Sequence, residues 1–127
     1  MKSPKTALIL PICWLIICTF LLTLPGSAFP KENWLDKLWV DKWVHIGLFS
    51  IMAWTWCLAM LSFGFPVTRL KRIFLIWALI WLAYGIGMEF VQKYLIPNRG
   101  FDVWDIAADG VGAAMGYFYS RKRYIKK

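Results

Sequence analysis

Three runs of apolar residues, each long enough to cross a lipid bilayer, constrain this chain more than any other feature. The first covers residues 7–24, the second about 44–63, and the third begins at 73 and continues in helical register to 96. The hydrocarbon core of a bilayer takes about 20 helical residues. Backbone polar groups inside lipid must be satisfied within their own segment, so such runs form helices. The sequence therefore predicts an all-α membrane protein.

Two weaker segments complete the predicted architecture. Residues 103–120 form a fourth span, rich in Ala and Gly but interrupted by Asp105 and Asp109. Residues 31–43 carry tryptophans at helical spacing, which favours a short interfacial helix, although a surface loop with tryptophans at the headgroup level is the alternative. We expect four transmembrane helices plus a short interfacial helix in one domain covering residues 1–127, with the notable motifs between residues 41 and 116.

The first run has a second interpretation as a secretory signal peptide, because it has a basic start and small residues at 26–28. Its eighteen apolar residues exceed the usual signal core of about 7 to 15, which favours a span. Cys13, Cys18 and Cys57 all lie inside apolar runs, where a thiol behaves as a small hydrophobe. They indicate neither a disulfide framework nor a metal site.

The distribution of basic residues predicts the orientation. The net charge is +8, but Lys and Arg flank the apolar runs instead of forming a stripe, so we expect no nucleic-acid partner. The short loops on one side carry two, three and five basic residues, against three and two on the other. Ten against five places both termini in the cytoplasm. The chain is thus expected in the cytoplasmic membrane as a multi-pass protein.

The acidic residues are concentrated beside the predicted spans. Five of the seven, with the only histidine, fall within residues 41–45 and 89–109. Charged groups in a bilayer are costly, so they indicate a functional site, which the orientation places on the extracytoplasmic side. The candidate residues of this polar pocket are Asp41, Lys42, His45, Glu89, Gln92, Arg99, Asp102, Asp105 and Asp109.

Spacing predicts which of these side chains share a face. Asp102, Asp105, Asp109, Gly112 and Gly116 are three, four, three and four residues apart, so they form one helical stripe that must face protein. The two glycines, in a GxxxG step, predict close packing of the fourth span on the third. Glu89 lies seven residues before the predicted end of the third span, and Asp109 lies six residues after the start of the fourth. Each is therefore about 10 Å inside its helix, so the two can meet at one level.

These residues also resemble a known family. Asp41-Lys-x-x-His45, Glu89-x-x-Gln92, Asn98-Arg99-Gly-x-Asp102-x-x-Asp105 and Asp109-Gly-x-Gly112 are together similar to the VanZ-like family of small bacterial membrane proteins. The family pattern commonly has Asn at the position of Asp109, so this chain adds a negative charge. The resemblance implies a multi-pass protein associated with low-level resistance to the glycopeptide teicoplanin, and it implies no established reaction.

The charge of the predicted site limits its chemistry. With Lys93 included and His45 neutral, five carboxylates face three basic groups, a formal charge of minus two. Such a group takes up protons, binds a cation such as a divalent metal ion, or binds a positively charged partner. A bare phosphate site would need the opposite sign. His45 oriented by Asp41 is also a candidate general base.

Three classes of function remain open. The first is a binding or accessory protein of the cell envelope, whose partners are membrane lipids and an envelope precursor or cationic ligand. The second is a small membrane enzyme, with or without a metal ion, that acts on an amphiphilic or lipid-linked envelope substrate; no catalytic residue set is evident for it. The third is a structural membrane protein, in which carboxylates pair with Lys42 and Arg99 to hold helix ends together.

Cysteine labelling checks the predicted topology. In a background without native cysteines, Asn98→Cys should react with a membrane-impermeant maleimide added to intact cells, and Tyr124→Cys should react only after the membrane is opened. The basic residues near position 124 hold it in the cytoplasm. The opposite pattern would place the acidic site inside the cell.

Overall fold

The described residues of the computed structural model, 3–23, 40–96 and 102–125, form helices joined by short turns, with no strand among them. This confirms the all-α prediction for those residues. In chain order the helices are α1 (Pro4–Ala7), α2 (Ile9–Leu22), α3 (Val40–Met60), a short 3-10 helix (Leu61–Phe63), α4 (Val67–Leu95) and α5 (Val103–Tyr124).

Three of the helical segments are long and apolar enough to cross a membrane, which fits a membrane protein. They are Lys5–Leu22, Lys42–Phe63 and Val67–Leu95. Helix α5 is 22 residues long but is less apolar, because it carries Asp105 and Asp109 and has three basic residues in its last turn. The fourth span therefore stays a prediction on this criterion.

The helix boundaries differ from the predicted ones in two places. Helix α3 begins at Val40, four residues before the predicted start of the second span, so residues 40–43 belong to the long helix. The rest of the predicted interfacial helix, residues 31–39, lies outside the described residues. Helix α2 is separated from α1 at Leu8, three residues before Pro11. Proline cannot donate its backbone nitrogen and crowds the carbonyl four residues earlier, which explains the interruption.

Helix α3 lies at the centre of the bundle and contacts α2, α4 and α5. One apolar cluster joins α2, α3 and α4, with Phe49 and Met52 fully buried. A second joins α3, α4 and α5 around Cys57 and Phe74. Between the helices, the indole of Trp14 donates to the Leu48 carbonyl at 3.0 Å. These contacts fix α3 against every neighbouring long helix.

Helix α5 is polar on its buried side and apolar on its exposed side. Its buried positions are acidic, small or polar, with Tyr117 the exception: Asp105, Ala108, Asp109, Gly112, Ala113, Gly116, Tyr117 and Ser120. Its exposed large side chains are apolar or aromatic: Val103, Trp104, Val111, Met115, Phe118 and Tyr119. A helix on the surface of a soluble protein has the reverse pattern.

The glycines of α5 allow close approach to α3. A Cβ built on Gly116 would lie 2.5 Å from the Ser50 carbonyl oxygen and 2.7 Å from the Ala53 Cβ. A Cβ on Gly112 would meet the Ile46 carbonyl and lie 2.9 Å from the Phe49 Cβ. The predicted partner, the third span, is therefore wrong. The stripe faces α3, which is the helix that α5 contacts most extensively.

Substitution of these glycines tests the contact. Gly112→Ala should lower the free energy of unfolding in detergent by about 1 to 3 kcal/mol, because the new methyl group meets backbone atoms that cannot yield. Gly47→Ala is the matched control, since a Cβ there meets nothing within 4 Å. The control should be neutral or stabilised by up to about 1 kcal/mol through helix propensity. Equal melting of the two variants would contradict the close packing of α5 on α3.

Candidate functional site

Three helix ends meet at one end of the bundle and position the acidic side chains. Lys42 and His45 lie in the first turns of α3, Glu89 lies six residues before the end of α4, and Asp102 is the N-cap of α5. Consecutive helices that reverse direction bring the start of one beside the end of the previous one. The polar residues of separate sequence segments thus come together, as their predicted depths require.

Asp102 touches all three of these helices. Its Oδ1 accepts from the Trp104 backbone N–H at 2.9 Å and caps α5. Its Oδ2 accepts from the Lys42 Nζ at 2.7 Å, and its own backbone N–H donates to the Glu89 Oε1 at 3.0 Å. Burial alone would raise the pKa of the Asp102 carboxyl, but the bonds from Lys42 and Trp104 outweigh burial and hold that pKa below its usual value.

Lys42 bridges two carboxylates of α5. Its Nζ lies 2.7 Å from the Asp102 Oδ2 and 2.9 Å from the Asp105 Oδ1. The Lys42 side chain is 13% exposed and that of Asp105 is 10% exposed, so this ion pair is largely withdrawn from water. Breaking a buried pair leaves an uncompensated charge, which is strongly destabilising. Loss of Lys42 would therefore destabilise the junction of α3 and α5, whereas loss of Asp105 alone leaves the ammonium paired with Asp102.

His45 lies between two carboxylates of α5, those of Asp105 and Asp109. Its Nδ1 is 2.6 Å from the Asp109 Oδ1, and its Nε2 is 3.7 Å from the Asp105 Oδ2. An ionised carboxylate only accepts hydrogen bonds, so Nδ1 carries the hydrogen when Asp109 is ionised. The imidazole also stacks on Phe49, one helical turn further along α3, with the ring planes 7° apart. The His45 ring is thus hydrogen-bonded at Nδ1, whereas Nε2 has a longer electrostatic contact with Asp105.

The network extends from an accessible end to a buried end. The Asp102 side chain is 38% exposed, whereas Asp109 and Glu89 are each 1% exposed as residues. Contacts follow one another from Asp102 through Lys42, Asp105 and His45 to Asp109. The described part of the site is therefore a packed polar network and not an open pocket.

Gly85 makes room for the innermost carboxylate. A Cβ built on this residue of α4 would lie 2.7 Å from the Asp109 Oδ2 and 3.0 Å from the Asp109 Cβ. No side chain larger than hydrogen fits there without moving Asp109. The sequence contained a signal for this role, because Gly85 lies four residues before Glu89 and so shares its helical face.

The remaining predicted site residues lie apart from this network or beyond the described residues. The amide nitrogen of Gln92 donates to the Leu22 carbonyl at 2.8 Å, so this side chain ties α4 to α2. The backbone of Asp41 belongs to α3, which starts early enough for Asp41 and His45 to share a face, but its side chain lies outside the described residues. Arg99 lies outside them as well.

A metal ion finds no preformed set of ligands among the described residues. No group of three or more His, Cys, Asp and Glu side chains there is arranged to hold one. His45 and its two carboxylates contact each other and the Lys42 ammonium instead.

The described network still carries excess negative charge. Glu89, Asp102, Asp105 and Asp109 surround one ammonium and one imidazole. Even with His45 protonated, ionisation of all four carboxylates leaves a formal charge of minus two. In a medium of low dielectric constant such a group favours protons or a cationic partner.

No protein-family model, curated protein or solved structure matches this chain.

A glycine pair tests the geometry around Asp109. Gly85→Ala should displace the Asp109 carboxylate and change the nitrogen NMR signals of His45, which is the only histidine in the chain. Gly87→Ala should leave these signals in place, because a Cβ there meets nothing within 4 Å. If both variants give the parent spectrum, Gly85 does not position Asp109.

Proposed function

We propose that this protein is a four-span membrane protein of the VanZ-like kind whose acidic network binds a cationic, amphiphilic ligand at the extracytoplasmic face. The proposed role is accessory, in the cell envelope or in resistance to glycopeptides of the teicoplanin type. The observation that carries the binding role is that four carboxylates surround only one lysine and one histidine at a junction of apolar helices.

The fourth span rests on the inverted polarity of α5. Its 22 residues correspond to about 33 Å at 1.5 Å per residue, which is enough to cross the hydrocarbon core. Its exposed side is apolar and its carboxylates contact other helices, as expected of a charged segment inside a membrane. Even numbers of spans then place both termini on the same side, in agreement with the distribution of basic residues.

A ligand cation would enter at Asp102. This carboxylate is the accessible end of the network, and it already holds one ammonium group, that of Lys42. A protonated amine from an amphiphile is chemically similar to that ammonium and can share or replace it. The apolar portion of the ligand would remain in the surrounding lipid. Charge complementarity and a position at the end of membrane helices thus favour the same class of ligand.

The VanZ-like resemblance adds the envelope context. Asp41, Lys42 and His45 open the second span, and the later motif residues Glu89 and Asp102 are hydrogen-bonded to each other through the Asp102 N–H. Motif residues from distant sequence segments thus contact one another. This supports one shared role for the motifs, and teicoplanin is the ligand to test first.

Replacement of Glu89 separates charge from hydrogen bonding. Glu89→Gln keeps an oxygen that can accept the Asp102 N–H but removes one negative charge, so the folded protein should be as stable as the parent or more stable. Its binding of teicoplanin in nanodiscs, measured by calorimetry, should weaken by about tenfold, equivalent to about 1.4 kcal/mol. Glu89→Ala should lose both binding and stability, because it leaves the N–H without its acceptor.

Two controls decide between ligand binding and architecture. Teicoplanin with its amine acetylated should bind parent protein and Glu89→Gln equally weakly. Asp105→Asn and Asp109→Asn should lower glycopeptide resistance in a susceptible host more than they lower the amount of folded protein in the membrane. A purely structural network predicts a loss of about 3 to 5 kcal/mol for each, with activity falling only in proportion to folded protein.

A second candidate function, a small membrane enzyme, is favoured by the environment of His45. Asp109 holds its Nδ1, which leaves Nε2 as the group available for proton transfer. A lipid-linked envelope substrate would have to reach Nε2 at a residue that is 6% exposed. Turnover of such a substrate by parent protein, and its loss in His45→Gln with retained ligand binding, would favour the enzyme over the binding protein.

A further inference from the structure

The end of the bundle opposite the acidic network has a cavity lined by basic side chains. Its volume is about 450 Å³, and its lining consists of Lys71 from the first turns of α4 with Phe118, Arg121, Lys122 and Ile125 from the end of α5 and just beyond. From the charge and the position of this cavity, we infer that it binds the phosphate headgroup of an anionic phospholipid.

The first argument is that basic side chains from α4 and α5 line the same cavity and that no described acidic side chain lines it with them. Among the described residues, no carboxylate forms an ion pair with Lys71, Arg121 or Lys122. The described carboxylates, Glu89, Asp102, Asp105 and Asp109, all lie at the opposite end of α4 and α5. Attraction to the cytoplasmic side accounts for the number of basic residues but not for their convergence on one cavity. An anion in the cavity would relieve the repulsion among these three groups.

The second argument is that one of the cations is held in place. The Arg121 Nη1 donates to the Tyr117 hydroxyl at 3.1 Å, one helical turn earlier on α5. A fixed guanidinium loses less freedom when it binds a phosphate, and its planar donors suit two phosphate oxygens. Lys71 of α4 and Lys122 of α5 add two ammonium groups to the lining. The arrangement has the chemistry of a phosphate site.

The third argument identifies the source of the phosphate as a lipid. Phe118 lines the cavity and is 63% exposed, and it belongs to the apolar outer face of α5 together with Met115. A headgroup in the cavity would therefore place its acyl chains along an apolar helix face. Basic pockets between spans on the cytoplasmic side are a recurrent form of lipid recognition. A soluble phosphate ion has no apolar part that could pack against Phe118.

The test compares two triple variants that remove the same charge. The cavity variant removes the three basic side chains of the lining and is Lys71→Gln/Arg121→Gln/Lys122→Gln. The matched control removes three basic side chains outside the lining and is Arg69→Gln/Arg72→Gln/Arg123→Gln. Arg69 and Arg123 lie over the rings of Phe65 and Tyr124 instead. Purified full-length protein in a zwitterionic detergent is titrated with phosphatidylglycerol, and bound lipid is counted by native mass spectrometry. Melting temperature is recorded in parallel.

The inference predicts saturable binding of phosphatidylglycerol to parent protein and control, with a rise in melting temperature, and no comparable effect of phosphatidylcholine or of inorganic phosphate. Affinity should fall by at least about tenfold in the cavity variant, given the effect of each basic residue near an anionic surface. Equal weakening in both variants would mean that only net charge matters and would overturn the site. An equal effect of inorganic phosphate would overturn the lipid as its source.

Phe118→Ala provides a second measurement if the cavity variant folds poorly. All three cations remain in this variant, so binding of a short-chain, soluble phosphatidylglycerol should be retained while the preference for the long-chain lipid declines. Unchanged chain-length preference would contradict the lipid inference. Neither result bears on the acidic network, because the two sites lie at opposite ends of the bundle.

Discussion

The geometry of the bundle end that holds the acidic network depends on three hydrogen bonds made by Asp102. One carboxylate oxygen caps α5, the other binds Lys42 of α3, and the backbone N–H binds Glu89 of α4. Each partner belongs to a different helix, so the three helix ends are fixed relative to one another by a single residue. The positions of Asp105 and Asp109, one and two turns deeper, follow from the position of this cap.

The sequence predicted the all-helical architecture and the common buried face of Asp105 and Asp109, because both depend on local patterns. Membrane-length apolar runs and the spacing of Asp102, Asp105 and Asp109 are properties of one segment at a time. The partner of the Gly112 stripe was not predictable in this way, since either neighbouring span could satisfy a small-residue face. The start of α3 was also missed, because Val40 through Trp43 suit an interfacial helix as well as the first turn of a long one.

Contacts between segments account for the other difference. Gln92 shares a helical face with Glu89, and the sequence placed both in one site, yet its amide donates to the Leu22 carbonyl of α2. Helical periodicity places a side chain on one face of its own helix. It does not reveal which neighbouring helix offers a backbone carbonyl to that face. Gly85 shows the same limit, because its spacing places it on the face of Glu89 but does not reveal that the Asp109 side chain of another helix packs against it.

The inverted polarity of α5 has a consequence for the biogenesis of the protein. On the proposed topology, α5 is too polar to partition into lipid by its own hydrophobicity, since charged residues oppose insertion of an isolated helix. Its carboxylates become tolerable only when Lys42 and His45 of α3 are already beside them. Helix α5 would thus enter the bilayer as a partner of helices made earlier, and variants of Lys42 would leave it outside the membrane before any ligand was involved.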